Sequence, residues 1–193
     1  MPTQHGTRGQ ARREEIVRAA IEVIAERGYR GASLAAVAEK VGLTQQGLLH
    51  YFPSKEHLLI GVLQFREQTD AGRGTAAEPM TMATTEAVVE ANANRVAIVR
   101  TFSALLGESV TEDHPAADYF KVRYRRVREA FTAMLRREWG DRLPSGLTPE
   151  EAAPLLIAIM DGLQYQWLHE PETFDMPAAF RAFMRLLDPK AAS

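Results

Sequence analysis

Between Thr44 and Phe52 the chain reads TQQGLLHYF, nine residues without an Asp or Glu. Gln45, Gln46 and His50 are neutral hydrogen-bonding groups at helical spacing. A glutamine amide pairs bidentately with the edge of adenine, which discriminates against the wrong base by about 1–3 kcal/mol. Gly47 carries no side chain, so a helix and a nucleic acid approach closely there, at a helix-propensity cost of about 1 kcal/mol. His50 lies one turn beyond Gln46. Tyr51 suits a sugar-phosphate backbone. Thr44, Ser54 and Lys55 stand at helix starts, where backbone N–H groups attract phosphate. The same spacing also fits an ordinary pair of surface helices.

Other chemistries are poorly supplied. The 193 residues include no cysteine, which excludes disulfides, zinc–thiolate sites and thiol nucleophiles. The five histidines (His5, His50, His57, His114, His169) are scattered, with no HExxH spacing. His50 and His57 are separated by Pro53 and cannot share one helix face. No Gly-rich loop follows a strand. These patterns predict neither an enzyme nor a cofactor or metal site. The N-terminus lacks an apolar signal region, and the apolar stretch around Ala152 to Met160 is cut by Asp161. The expectation is a soluble, cytoplasmic protein with no membrane span. Net charge is −2, but residues 1–60 hold eight Lys/Arg against six Asp/Glu, and the remainder holds fifteen against nineteen. A mildly basic N-terminal part is joined to an acidic one.

The elements that position the acid-free stretch follow from periodicity and punctuation. Ile16, Ala19, Ala20, Val23 and Ile24 make one apolar stripe from Gln10 to Arg27, stopped by Gly28. Ser33 caps a second helix, which buries Leu34, Val37, Ala38 and Val41 and ends at Gly42. Thr44 caps a third, with Leu48 and Phe52 inward and Pro53 as its stop. Ser54 caps a fourth, with Leu58, Leu59, Val62 and Phe65 on one face. Ala71 to Thr81 reads as a linker or loop. A long pattern runs from about Thr84 through Val88, Val89, Val96, Val99, Phe102, Leu105 and Leu106 to His114-Pro115. Another helix buries Phe120, Val127, Phe131, Met134 and Leu135. Thr148 caps a helix with the stripe Leu156, Ile159, Met160, Leu163 and Trp167, and Ala178 to Leu187 forms the last. Nothing alternates long enough to be a strand. The fold class is all-α, with about nine helices in two parts, 1–55 and 56–193.

Helix, glycine turn, helix is the helix-turn-helix arrangement, whose second helix enters the major groove. The run RREEIVRAAIEVIAERGYRGASLAAVAEKVGLTQQGLLHYFPSKEHLL resembles the TetR family of bacterial transcriptional regulators. The resemblance rests on Gly28-Tyr29, Ser33-Leu34, the Ala38 to Gly42 turn, Gly47-Leu48, Tyr51-Phe52, Ser54-Lys55-Glu56 and Leu58. It implies a DNA-binding domain over 1–55 and a ligand-binding and dimerisation domain over 56–193. It implies base contacts from Gln45, Gln46, Gly47 and His50, and phosphate contacts from Ser33, Thr44, Tyr51 and Lys55. At position 49, where many members carry a phosphate-contacting tyrosine, this chain has leucine. Arg8, Arg12 and Arg13 are further candidates for phosphate or the minor groove, with a disordered basic tail as the alternative.

One helix-turn-helix reads half a site, so a homodimer on double-stranded DNA is expected. The Glu150 to His169 helix is apolar on a second side, through Leu155, Ala158, Gly162 and Gln166, and must bury that side too. It and the last helix are the expected dimer face. Phe102, Tyr124, Phe131, Met134, Met160, Gln164 and Trp167 are candidates to line a pocket for a small apolar or aromatic effector, although such stripes also make plain core. The rival to a ligand-responsive repressor is an α-helical protein-interaction module, with Arg126, Arg136 and Arg137 as its docking face.

Overall fold

The computed structural model describes residues 4–71, 80–111 and 113–188. Among these it contains nine helices and no strand: α1 (Gln4–Gly31), α2 (Leu34–Lys40), α3 (Gln45–Leu49), α4 (Lys55–Ala71), α5 (Met82–Asn92), α6 (Val96–Glu108), α7 (Ala117–Trp139), α8 (Pro149–His169) and α9 (Met176–Leu187). By contacts they fall into two compact units. One comprises Met1–Thr69 with Arg100–Tyr119, the other Asp70–Val99 with Phe120–Ser193.

In the first unit, Ile16, Ala20, Ile24, Val37, Leu48, Phe52, Leu59 and Leu63 form a closed apolar interior. α1 packs on α2, and α2 on α3. The stop expected at Gly28 is a kink: Gly28 takes φ 66°, and helical hydrogen bonding resumes beyond it to Gly31. Only glycine enters that region without strain. Gly42, at φ 65°, ends α2 in the same way. The Leu43 amide donates to the Ala38 carbonyl and the Gly42 amide to Glu39, so the last carbonyls of α2 are satisfied by a left-handed turn. Leu34 and Val41 are half-buried rather than buried.

In the second unit, α9 packs against both α8 and α5. Val99, Phe131, Met134, Leu135, Leu156, Trp167 and Phe180 make its core. The long pattern expected from Thr84 to Leu106 is divided between two helices. Asn92 is buried, and the Asn94 and Arg95 amides donate to the Ala91 and Asn92 carbonyls in a tight turn before α6 begins. Asparagine side chains compete with helical hydrogen bonding, and the apolar period continues across the turn, which hides it. α9 starts at Met176, earlier than Ala178, because the Asp175 carboxylate accepts the Ala178 amide at 2.8 Å and Pro177 fits the first turn. Most of the expected 71–81 linker lies outside the described residues. No helix among the described residues is long and apolar enough to cross a membrane.

Candidate nucleic-acid interface

α3 is five residues long, and two features define it. The Thr44 hydroxyl accepts the Gly47 amide at 3.0 Å, and the Ser33 hydroxyl does the same for Ala36 in α2 at 3.1 Å. Both hydroxyls keep their own O–H for another acceptor. Gly47 has a local reason as well as an outward one: a Cβ there would sit 3.3 Å from the Thr44 hydroxyl oxygen. Leu48 and Phe52 are fully buried and anchor the helix. Phe52 needs a second glycine to fit, since a Cβ on Gly61 of α4 would come within 2.7 Å of its ring.

The rest of α3 is turned out. Gln45, Gln46 and His50 are exposed, Gly47 and Tyr51 are half-buried, and Leu49 is half-buried beside them. The face holds no carboxylate. Arg12 and Arg13 reach across from α1. The Arg12 guanidinium donates to the Val41 carbonyl at 2.7 Å and pairs with Glu15 at 2.5 Å. The Arg13 guanidinium donates to the Tyr51 carbonyl at 2.6 Å and lies 4.0 Å over the Phe52 ring. Lys40 of α2 is tied back to Glu22 of α1 at 2.7 Å. Arg8 is exposed on the same helix.

Lys55 is part of a cluster that was not legible in the sequence. Its ammonium lies 4.4 Å from the Tyr29 ring centroid and donates to the Arg30 carbonyl at 3.3 Å. Burial pulls its pKa down, against the opposing pull of Glu108 and Glu56. Burial, with Glu56 and Glu108, pushes the Tyr29 phenol up to about 12. His114 packs edge-on against Tyr29, with ring centroids 5.2 Å apart. Its Nδ1 accepts the Ala116 amide at 3.2 Å, and its Nε2 lies 3.9 Å from Glu108 Oε2. Ser54, expected as a cap, accepts the His57 amide at 3.3 Å.

The expected pocket residues divide between the units. Phe102 is buried in the first, with the Arg66 guanidinium 3.6 Å over its ring. In the second, Phe131 and Trp167 are core residues, Gln164 is buried, and Tyr124 and Met160 are partly buried against the same core. Met134 is core too, and accepts a hydrogen bond from the Thr85 hydroxyl at 3.8 Å. The polar feature there is Tyr124, whose hydroxyl donates to Asp161 Oδ2 at 2.5 Å. Burial and then Asp161 push that phenol well above its ordinary value. Asp161 was visible in the sequence as a lone acid interrupting an apolar helix. Its partner, 37 residues away, was not. An open groove of about 420 Å³ on the same unit is lined by Arg125, Arg128, Thr132, Arg136, Glu150 and Pro154. Arg136 and Glu150 form an ion pair across it.

Two family models match the chain. The family model described as bacterial regulatory proteins, tetR family, matches residues 16–62. That of the BetI-type transcriptional repressor, C-terminal, matches residues 77–189. The HTH-type transcriptional regulator RutR of Escherichia coli K12 is 41% identical over 54 residues, 28% of this chain and 26% of that relative. The chain thus matches about a quarter of RutR's length. The HTH-type transcriptional regulator BetI of Paraburkholderia phytofirmans is 29% identical over 192 residues, 95% of each chain. A Saccharomonospora viridis protein solved in complex with choline shares the fold, with a TM-score of 0.67 at 16% identity over 94% of this chain and 97% of that one.

The His114 cluster makes a pH prediction. Burial is the largest influence on His114 and lowers its pKa from the ordinary 6.5; Glu108 opposes this and Arg30 adds to it. Below that value the unfolded chain binds a proton that the folded chain refuses. Stability is therefore lost as pH falls from about 6.5 through the folded value. Denaturant titrations between about pH 7 and pH 5 should show the wild type losing more stability than His114→Asn, which keeps an acceptor for the Ala116 amide. Parallel curves would refute the assignment.

Proposed function

Since the chain belongs to the TetR family of transcriptional regulators, with a C-terminal part of the BetI repressor type, we propose that it is a ligand-responsive repressor. In this reading a homodimer binds a near-palindromic operator. Residues 1–55 read DNA, and residues 56–193 bind the effector and the second copy. The observation that carries the reading is the outward face of α3. It presents Gln45, Gln46 and His50 to solvent without a carboxylate, on a helix anchored by Leu48 and Phe52. Gln45, Gln46, Gly47 and His50 face base edges. The Ser33 and Thr44 hydroxyls, the Tyr51 phenol and the Lys55 ammonium meet phosphates. Leu49 offers no hydrogen bond and makes an apolar contact at most.

The exposed side of α8 supports dimerisation. Leu155 and Tyr165 are 47% and 40% exposed, Ala158 lies between them, and Leu186 of the adjoining α9 is 68% exposed. These are large apolar groups for a surface, and α8 and α9 are packed together. Two copies joined there present two reading helices, which must lie about 34–36 Å apart, or a multiple of one DNA turn. An effector that prefers a conformation with the wrong separation weakens DNA binding by the same factor by which DNA weakens effector binding. The chain leaves α3 directly into α4, which makes α4 the lever.

For the effector, the partly buried Tyr124 and Met160 beside the core of the second unit favour a small apolar or aromatic molecule. The Tyr124–Asp161 pair favours a second class, small organic cations. A carboxylate beside aromatic rings suits an ammonium, and choline is the ligand of the Saccharomonospora viridis protein of like fold.

Three experiments test these readings. Selection from a random DNA pool should return a two-fold symmetric sequence, with affinity falling steeply as salt rises. Gln46→Ala should relax the preference at one position per half-site, by about 1–3 kcal/mol. A pool that enriches nothing would refute the reading as a DNA-binding regulator. Choline added to the operator complex should release it, and Asp161→Asn should abolish that release; release by neutral aromatics alone, indifferent to Asp161, would return the effector to the first class. A Cβ on Gly162 meets nothing in the single chain. Gly162→Arg should therefore leave the monomer folded yet convert dimer to monomer in analytical ultracentrifugation. A stable dimer of the variant would remove α8 from the interface.

A further inference from the structure

We propose that Arg12 and Arg13 are positioning residues that hold the helix-turn-helix for base reading, rather than ligands of phosphate. The proposal rests on α3 being the reading helix and deepens that assignment. As adjacent residues on α1 they point about 100° apart, and each reaches a different helix end. Arg12 donates to the carbonyl of Val41, the C-cap of α2. Arg13 donates to the carbonyl of Tyr51, just beyond α3, and covers the Phe52 ring.

The need for such a clamp follows from the local chemistry. A helix leaves its last four carbonyls without intrahelical donors. α3 is so short that these include most of its own, and Pro53 follows with no N–H to offer. α3 also carries no basic residue in its last turn. Arg13 meets none of those carbonyls itself but places a cation on the Tyr51 carbonyl, one residue past the cap His50, near the negative end of the helix dipole. Glu15 pairs with the Arg12 guanidinium and orients it. The Glu22–Lys40 pair makes a second tie between α1 and α2 further along. Arg13 combines a planar donor with a planar stacking surface. Lysine keeps the charge but cannot do both.

The consequence is a difference between two kinds of arginine contact. An arginine on phosphate strengthens all DNA alike, and lysine replaces it with little change in salt slope. An arginine that orients α3 matters for the selected operator and little for random DNA. The test compares the full-length wild type with Arg12→Lys/Arg13→Lys and with Arg13→Lys alone. Operator and random-duplex affinities are measured across salt, and amide exchange is followed by NMR. The ratio of operator to random-duplex affinity is expected to fall about tenfold, with random-duplex affinity and salt slope unchanged. The amides of Leu48 and Phe52, which donate to Thr44 and Leu48 carbonyls, are expected to exchange faster while the amides of α1 around Ile21 keep their protection. An unchanged ratio with unchanged exchange overturns the proposal, as does an equal loss on both DNAs. If the wild type prefers no sequence, the functional reading fails on its own, and the exchange of Leu48 and Phe52 still decides whether the two arginines hold α3.

Discussion

A helix of five residues does not persist in water by its own hydrogen bonds, because nucleation costs more than so few residues return. Everything proposed for this protein depends on α3 being held from outside. Two apolar plugs hold it from below, Leu48 and Phe52, both completely buried. The Phe52 ring is accommodated because α4 carries glycine at position 61 where it passes. The Thr44 hydroxyl closes the first turn. What remains of α3 needs no internal stabilising partner and is left to solvent. A surface that contributes so little to folding is free to carry polar, uncharged side chains that serve recognition.

The second consequence concerns charge. The basic residues near the N-terminus look, as a list, like an electrostatic footprint for DNA. In the folded chain they divide by geometry. Arg8 is exposed, while Arg12 and Arg13 are directed to backbone carbonyls at the ends of α2 and α3. Lys55 is shared between the Tyr29 ring and the Arg30 carbonyl. A guanidinium or ammonium of this kind contributes to the positive potential of the surface and to the rigidity of the helices proposed to read DNA. Counting charges along a chain measures the first and misses the second.

The second unit shows the converse pattern. Its expected pocket residues are mostly core, as aromatic and methionine stripes at helical spacing generally are. The group that stands out chemically is a polar pair, Tyr124 with Asp161, set against that core. A lone acid in an apolar helix has few ways to be tolerated, and a phenol donor is one of them. On α8 the exposed apolar side, from Leu155 to Tyr165, is a cost to a lone chain and a resource to a pair.

Most of the helix ends could be read from the chain, because caps and stops are local chemistry. Ser33, Thr44, Gly42 and Thr148 mark boundaries through bonds to residues within four positions, and Pro53 through the N–H it lacks. So could the outward character of Gln45, Gln46 and His50, which follows from period 3.6 once Leu48 and Phe52 are taken as inward. The turn between α5 and α6 escaped because the apolar period runs through it unbroken. The Asp175 cap escaped because Pro177 and Ala178 read as the helix start. Tertiary structure alone decided which carbonyls Arg12 and Arg13 meet, which ring lies over Lys55, and which phenol answers Asp161. Those partners lie 26 to 38 positions apart. Hydrogen-bond direction between such distant groups is settled only when the helices carrying them are packed. Sequence determines what each residue can do within its own turn of helix, and packing determines what it is given to do it to.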